Sequence, residues 1–596
     1  MAPGVYGPDD QQYAAEASES LLKRRSLSRR TMLAGLGGFA LTAGLAGTAV
    51  FRGFGGGAPQ KNDNFLGSSI AASPTAEISG QAAKQRLIIN VTSEPKSFDF
   101  NKDPFCGGDQ ACFAQLCQFD ENMQVQPDIA EKWESNWDAS IWTFYLRDSK
   151  WSNGAPVTAH DFEYSFKRQL DPATKSPNPA ILFRLMNGEL FNQGDGSVTA
   201  DDVGVVATDD RTLLVTLENP CVYFPVLAAF AAGAPAYRPA VEQYGDDWTE
   251  PGNIVCNGPF MLTEWRHHAS YTLKRNDYYW NAGNITLTEV FRPIFTPSDA
   301  IDAYRAGQID IALDGSFGSA PKVQDDDPLR ADYFTFNDFG TWYLEPNVNK
   351  APFDVKEVRL AMAHAVDRET IVDNVLRGLG KPAYTMTPPG MPGHDQNTFP
   401  DFTAYDPEKA RAMLKGTRYE GGKHWPSITL TQRGGEGNGP GVTGEAITAM
   451  LEENLGMKVE QQIGDPDQTY ADAYAHKVQL MWWRWYVDYP DPSFTLFVPW
   501  YSQETSDERN TFSDKEFDRL VNTAAEQNDV DVRMRMYQQA DQIIAENGAA
   551  TFVYHTYQYG LKRSWVKGMP VDALGNPVPN WYIYCRSFDR IIMMNH

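Results

Sequence analysis

Residues 478–492 hold the densest concentration of groups able to do chemistry. Trp482, Trp483 and Trp485 fall within four positions, and Asp488 and Asp491 follow in the acidic turn DYPDP. The 478–485 stretch reads as a strand, on which Trp483 and Trp485 share one face and Trp482 opposes them. Flat apolar rings of this kind suit peptide side chains or sugar rings, although packing into a core is the default for at least one face. Asp488 has two available roles: capping the turn at 489–492, as aspartate often does, or facing a cation. Arg484 is close to Trp482 and is expected to face differently. Catalytic patterns are missing: the chain has no H-E-x-x-H, no G-x-S-x-G elbow and no helix with two histidines at i, i+4. His267 and His268 are adjacent, so they are expected to point in different directions. Carboxylates are so numerous that no pair singles itself out as a hydrolytic dyad.

Composition narrows the classes further. The chain has 596 residues, too many for one core, and implies at least two lobes. A formal net charge of −25 and a pI near 4.8 argue against a nucleic-acid groove, which needs a basic stripe. Acidity of this degree favours solubility and repulsion from anionic lipid. Six cysteines are compatible with an oxidising exterior but do not make a disulfide scaffold. Cys106, Cys112 and Cys117 cluster as C-x5-C-x4-C, which lacks the C-x2-C pairs of a zinc site, so no metal or cofactor is expected. One bridge, from Cys106 to Cys112 or Cys117, is expected there. The loop GGEGNGPG at 434–441 lacks the G-K-[ST] grip of a phosphate loop, and reads as a rim loop.

The elements that must position these groups are legible in local signals. In the 352–368 run, PFDVKEVRLAMAHAVDR, Asp354 is expected to cap a helix whose Val358, Ala361, Met362 and Ala365 form one apolar face. Asp367 is expected to cap a second helix reaching about Leu376 and stopping at Gly378. Thr158 is expected to cap a helix with Asp161 at N3 and a Val157–Phe162 staple, after the alternating strand at 142–146 and the Ser152-Asn153-Gly154 turn. A strand at 428–431, a helix at 446–455 and a strand at 458–462 form a strand–helix–strand unit expected to be parallel.

The amino terminus carries Arg29-Arg30 ahead of a Gly/Ala-rich apolar run at 32–51. Twin arginines before a weakly apolar core read as a Tat export signal, with an uncleaved anchor as the alternative. Residues 52–85, rich in Gly, Ser, Ala and Pro, read as a flexible tether.

The 352–368 run also resembles the "PFxDxxVRxAxxxAxDR" block of the extracellular solute-binding proteins, family 5, which feed oligopeptide and dipeptide ABC importers. Further blocks follow in the family's order. IAEKW (129–133), WTFYLR (142–147), WSNG (151–154) and VTAHDF (157–162) are similar to one segment. NGPF (257–260) with LKRNDYYW (273–280), YDPEKA (405–410), WYVDYPDP (485–492) and FSDKEFDRL (512–520) match others. The resemblance covers roughly 86–590. It implies an α/β, two-lobed periplasmic-binding-protein fold (type II-like, cluster C) with an extra subdomain inserted in lobe I. Lobe I would comprise 86–126, 251–342 and 560–596, the insertion 127–250, and lobe II 343–559, with 1–51 as signal or anchor. Hinge strands would lie near 343–347 and 552–557.

The resemblance also implies site residues. The aspartate matching Asp488 pairs with the α-amino group of a peptide. A desolvated ammonium needs such a partner, and at 4 Å with an effective dielectric near 20 the attraction is roughly 4 kcal/mol before desolvation. Trp485 aligns with the family's cleft tryptophan, and Trp483 and Tyr489 flank it. Some peptide receptors hold the ligand carboxylate with an arginine where this chain has Trp482, which puts carboxylate capture in doubt. EPKSFD (94–99) is similar to a cleft-lining strand that offers backbone hydrogen bonds, which brings in Ser97 and Phe98. The implied function is an exported, non-enzymatic receptor that delivers short peptides to a membrane ABC permease after export by the Tat translocon. Alternatives are an oligosaccharide receptor of the same fold, a membrane-anchored sensor or a periplasmic enzyme. No nucleic acid is expected as a partner.

Overall fold

The computed structural model describes residues 80–595 except 104–108, 195, 231–232, 315–322, 324–326, 398, 435–438, 503–509 and 580–585. The twin-arginine segment, the tether up to residue 79, Cys106, Cys585 and residues 435–438 of the Gly-rich loop lie outside the described residues. Among the described residues, no helix is long and apolar enough to cross a membrane.

The architecture is α/β and two-lobed, built around three principal sheets. A four-stranded sheet orders Arg86–Ile88, Glu289–Pro293, Ser270–Arg275 and Phe260–Arg266. The segment between Arg86–Ile88 and Phe260–Arg266, consecutive strands of this sheet in the chain, makes a separate antiparallel sheet, ordered Ala130–Ser135, Ile141–Leu146, Thr212–Thr216 and Val205–Asp209. The third sheet has seven strands, six of them in the order Ile311–Asp314, Thr551–Lys562, Tyr333–Pro346, Leu480–Tyr486, Ile428–Arg433 and Val459–Gly464. Gly380–Pro382 pairs with Thr551–Lys562 off that path. The Ile428–Arg433 and Val459–Gly464 strands are parallel, with the Gly439–Leu455 helix between them in the chain, as their spacing predicts. Buried Leu430, Ile447, Leu451, Leu480 and Trp482 join that unit to the helix Lys356–Ala365 in one apolar core.

Helix starts follow their local capping chemistry at several sites. Asp161 reaches back to the Thr158 N–H at 2.7 Å, Asp367 accepts from the Thr370 N–H at 3.0 Å, and Asp406 accepts from Lys409 N–H at 2.9 Å. Asp354 departs from expectation. The helix it precedes begins after Val355 with no side-chain cap, and both Asp354 oxygens instead accept from Arg418 Nη2, at 2.6 and 2.7 Å. A partner 64 residues away outcompetes the local N–H groups because a guanidinium gives charge-assisted bonds.

Two long strands, Tyr333–Pro346 and Thr551–Lys562, run the length of the large sheet side by side. Their register shifts between the pairs Asn337/Tyr557 and Thr341/His555, where Phe339 has φ +49°. Gly340 is needed there: a Cβ would lie 2.4 Å from Thr556 Oγ1 and 2.6 Å from the Tyr486 ring.

Candidate functional site

The Leu480–Tyr486 strand is interior to the large sheet, antiparallel to Tyr333–Pro346 and parallel to Ile428–Arg433. Its alternation divides the tryptophans as expected. Trp482 is buried in the core, stacked on Trp342 at 5.3 Å between centroids and 6.2 Å from Tyr554. Arg484 shares that face rather than facing differently, since positions two apart on a strand point the same way; its guanidinium sits 5.4 Å from the Trp342 ring. On the other face, Trp483 stacks on Tyr470 at 5.4 Å. It also lines a small recess with Glu345, Asn347, Met481, Asn510 and Thr511. Trp485 is buried, donates its indole N–H to the Phe494 carbonyl at 3.0 Å, and lies 5.4 Å from the Phe494 ring.

Beyond the strand end the chain turns through Asp488 and Tyr489 into the Ser493–Phe497 turn. The Tyr489 ring lies 4.9 Å from that of Phe494, so Trp485 and Tyr489 meet on one aromatic side chain. Tyr489 also stacks on Tyr223, 6.2 Å away, which belongs to the 127–250 segment. Val222 N–H to the Ala525 carbonyl and Asn528 Nδ2 to the Trp137 carbonyl make further contacts between that segment and 515–528. The turn bearing Asp488 therefore lies where the segment carrying the Ala130–Thr216 sheet meets residues 489–528.

The two carboxylates of the turn behave differently. Asp491 caps it: its side chain accepts from Ser493 N–H at 2.9 Å and from Arg533 Nη2 at 2.6 Å, with both ionic groups buried. Asp488 does no capping. It is half-buried, and burial alone pushes its carboxyl up to about 7, with no hydrogen-bond donor or cation among the described residues. A carboxyl so placed is an unmet demand for a cationic donor.

Ser97 and Phe98 lie elsewhere. Residues 93–99 form bends rather than a strand. The Ser97 N–H is committed to Asp103 at 3.1 Å, and its hydroxyl accepts from Asp99 N–H at 2.9 Å. Phe98 is fully buried between Trp265 (5.1 Å) and Tyr271 (5.4 Å), which places its ring in the first lobe's core. Neighbouring Asp99 anchors this loop by accepting two bonds from Arg168, at 2.6 and 2.8 Å, and one from the Trp248 indole at 2.9 Å. His267 and His268 also depart from expectation, since both imidazoles reach Glu94, at 3.0 and 2.5 Å. Among the described residues, no group of three or more His, Cys, Asp or Glu is arranged to hold a metal.

Two features of the site were missed by sequence reasoning. Arg533, which neutralises Asp491, lies 42 residues downstream on the helix Val530–Glu546. Tyr223 comes from a different sheet's segment. Neither has a local signal, because each acts only through tertiary contact.

Comparison with known proteins agrees with this geometry. Residues 124–507 match the model of the bacterial extracellular solute-binding proteins, family 5 Middle. The dipeptide-binding protein DppE of Bacillus subtilis is 32% identical over 508 residues, 82% of this chain and 90% of that protein. The periplasmic oligopeptide-binding protein OppA of Salmonella typhimurium is 32% identical over 517 residues, 84% of this chain and 93% of that protein. Among solved structures, the unliganded open form of the periplasmic murein tripeptide binding protein MppA superposes with a TM-score of 0.75 at 29% identity, covering 87% of this chain and 99% of that one. Haemophilus influenzae OppA in complex with RPPGFSPFR gives 0.64 at 25% identity, covering 86% and 100%. The chain belongs to family 5 of the bacterial extracellular solute-binding proteins.

Proposed function

We propose that this protein is the receptor of an ABC importer, and that it binds short peptides between its lobes and delivers them to a membrane permease. The reading rests on one observation above others: Asp488 is a desolvated carboxyl without a cation among the described residues, on the turn whose Tyr489 stacks on Tyr223 of the 127–250 segment. A peptide α-ammonium would supply both the missing charge and the missing donors. The names of the relatives, which bind dipeptides and oligopeptides, agree with that chemistry. Trp485 and Tyr489 would wall the first ligand residue. The oligosaccharide alternative gains nothing from the tryptophans, because Trp482 is in the core, Trp483 is stacked on Tyr470 and Trp485 is held by Phe494.

Closure would use the two long strands. The hinge is proposed at 337–343 against 552–557, where the register shifts twice, beside the 343–347 and 552–557 strands that the resemblance implies. The lobe boundaries are proposed as the resemblance implies them, and export is proposed to run through the Tat pathway by way of Arg29 and Arg30. A bound ligand would favour the closed arrangement only through contacts absent from the open one. Native mass spectrometry of the protein isolated from cells tests the reading. A ladder of short peptides, displaced by added peptides with free amino termini, is expected; a hexose-spaced ladder would contradict it.

A further inference from the structure

Four described cysteines are buried as thiols, and two of them meet. Cys256 is the thiol next to Cys112: after burial itself, its nearness helps push the Cys112 thiol up. The backbone forces this closeness. Gly258 N–H donates to the Cys112 carbonyl at 3.0 Å, and a Cβ on Gly258 would come within 2.6 Å of the Cys112 carbonyl carbon, so only glycine lets the two chains lie this near. The intervening Asn257 side chain clamps Ala114 from both ends, accepting from its N–H at 3.0 Å and donating to its carbonyl at 2.9 Å. Ser152 fixes the other side: its N–H donates to the Cys256 carbonyl at 2.7 Å, and its hydroxyl accepts from Cys256 N–H at 3.1 Å. Cys117 and Cys221 have no such thiol neighbour among the described residues. Burial above all pushes both thiols up, with Asp128 near the first and Arg184 and Arg533 near the second.

We propose that Cys112 and Cys256 are a disulfide site of the exported protein. The pairing differs from the Cys106–Cys112 or Cys106–Cys117 bridge expected from spacing, because a contact between segments 144 positions apart leaves no mark in local sequence. The two thiols lose two protons and two electrons as the S–S bond forms. The electrons reduce the disulfide of an oxidant, an exported dithiol–disulfide protein in the cell or glutathione disulfide in the tube, to two thiols. Residues 113–255 would then be closed in one loop containing the entire Ala130–Thr216 sheet, and the bond would tie its exit and return to the first lobe. Because the gain comes from restricting the unfolded chain, it is large for so long a loop. Burial pushes the Cys112 thiol well above its usual range, so the bond should form during folding, before the core excludes the oxidant.

The test is to unfold and reduce the full chain, refold it with reduced and oxidised glutathione, and alkylate remaining thiols under denaturing conditions. Cleavage by Asp-N and chymotrypsin isolates Cys112 within 109–113 and Cys256 within 249–260. The expected product is those two peptides cross-linked in most chains, with Cys256 becoming alkylated in Cys112→Ala. In the wild type, thermal unfolding should drop by on the order of 5 °C when reductant is added, with no drop in Cys112→Ala. Alkylation of both cysteines in the refolded wild type, or linkage of either to another cysteine, overturns the proposal.

Discussion

Asp491 accepts a hydrogen bond from Arg533 at 2.6 Å with both side chains buried, whereas Asp488, on the same turn, has no cation among the described residues. One carboxylate is neutralised from within the protein and shapes the turn. The other is the one proposed to face the ligand, three positions away on the same turn.

Arg533→Met leaves the Asp491 carboxylate buried and unpaired. Breaking such a pair from one side costs about 3–5 kcal/mol, so urea unfolding at pH 7 should show a loss of that order. Adding Asp491→Asn to the same chain should recover part of it, since the stranded charge is gone. A loss under about 1 kcal/mol in the single variant would mean that Asp491 is held by other means.

Arg368 is fully buried without a bonded carboxylate among the described residues. Its guanidinium donates to the carbonyls of Ala363, Val366, Ala383, Thr403 and Phe552, at 2.6–3.2 Å, and burial pushes it down to about 10. It cross-links the helix Lys356–Ala365, the short helix Pro400–Thr403 and the strand Thr551–Lys562. Arg368→Met should cost on the order of 3–5 kcal/mol by chemical denaturation, because several carbonyls lose their donor together.

Binding and stability should respond to pH in opposite ways. A ligand ammonium needs Asp488 ionised, yet its carboxyl holds a proton up to about 7. Below that pH binding must expel the proton, and the dissociation constant should rise by up to about tenfold per unit. Above roughly pH 8 the peptide α-amine, with a pKa near 7.7–8.0, loses its own proton and affinity falls again. The unliganded protein follows a different course. Asp488 and Asp541, the latter also pushed to about 7 by burial, bind protons in the folded state that the unfolded chain has released. Their contribution is fully present below about pH 4 and is lost as pH rises to about 7. Calorimetric titration across pH 5–9, with melting curves of the empty protein over the same range, checks both limbs. Affinity flat across that window would contradict the assignment of the ammonium to Asp488.

Legibility in the sequence tracked the range of the interaction. Thr158 and Asp367 were readable because an N-cap acts within three residues, and the Trp482/Trp483 division was readable because strand alternation is local. Asp354 was misread once Arg418 entered from another element, and Phe98 proved to be core once Trp265 and Tyr271 enclosed it. Arg533, Tyr223 and the Cys112–Cys256 contact exist only after distant segments pack. The order of the family blocks carried the fold, while the division of labour between Asp488 and Asp491 required their surroundings.

Asp488→Asn tests the central assignment most directly, using calorimetric titration with a peptide bearing a free amino terminus and with its N-acetylated form. Removing one partner of a desolvated charge pair costs about 2–5 kcal/mol, so the variant should bind the free peptide about 30- to 5,000-fold more weakly than the wild type. The acetylated peptide should bind both proteins equally poorly, and the empty variant should melt higher than the wild type at pH 8, since no buried charge remains. Undiminished affinity of Asp488→Asn for the free peptide would contradict the account.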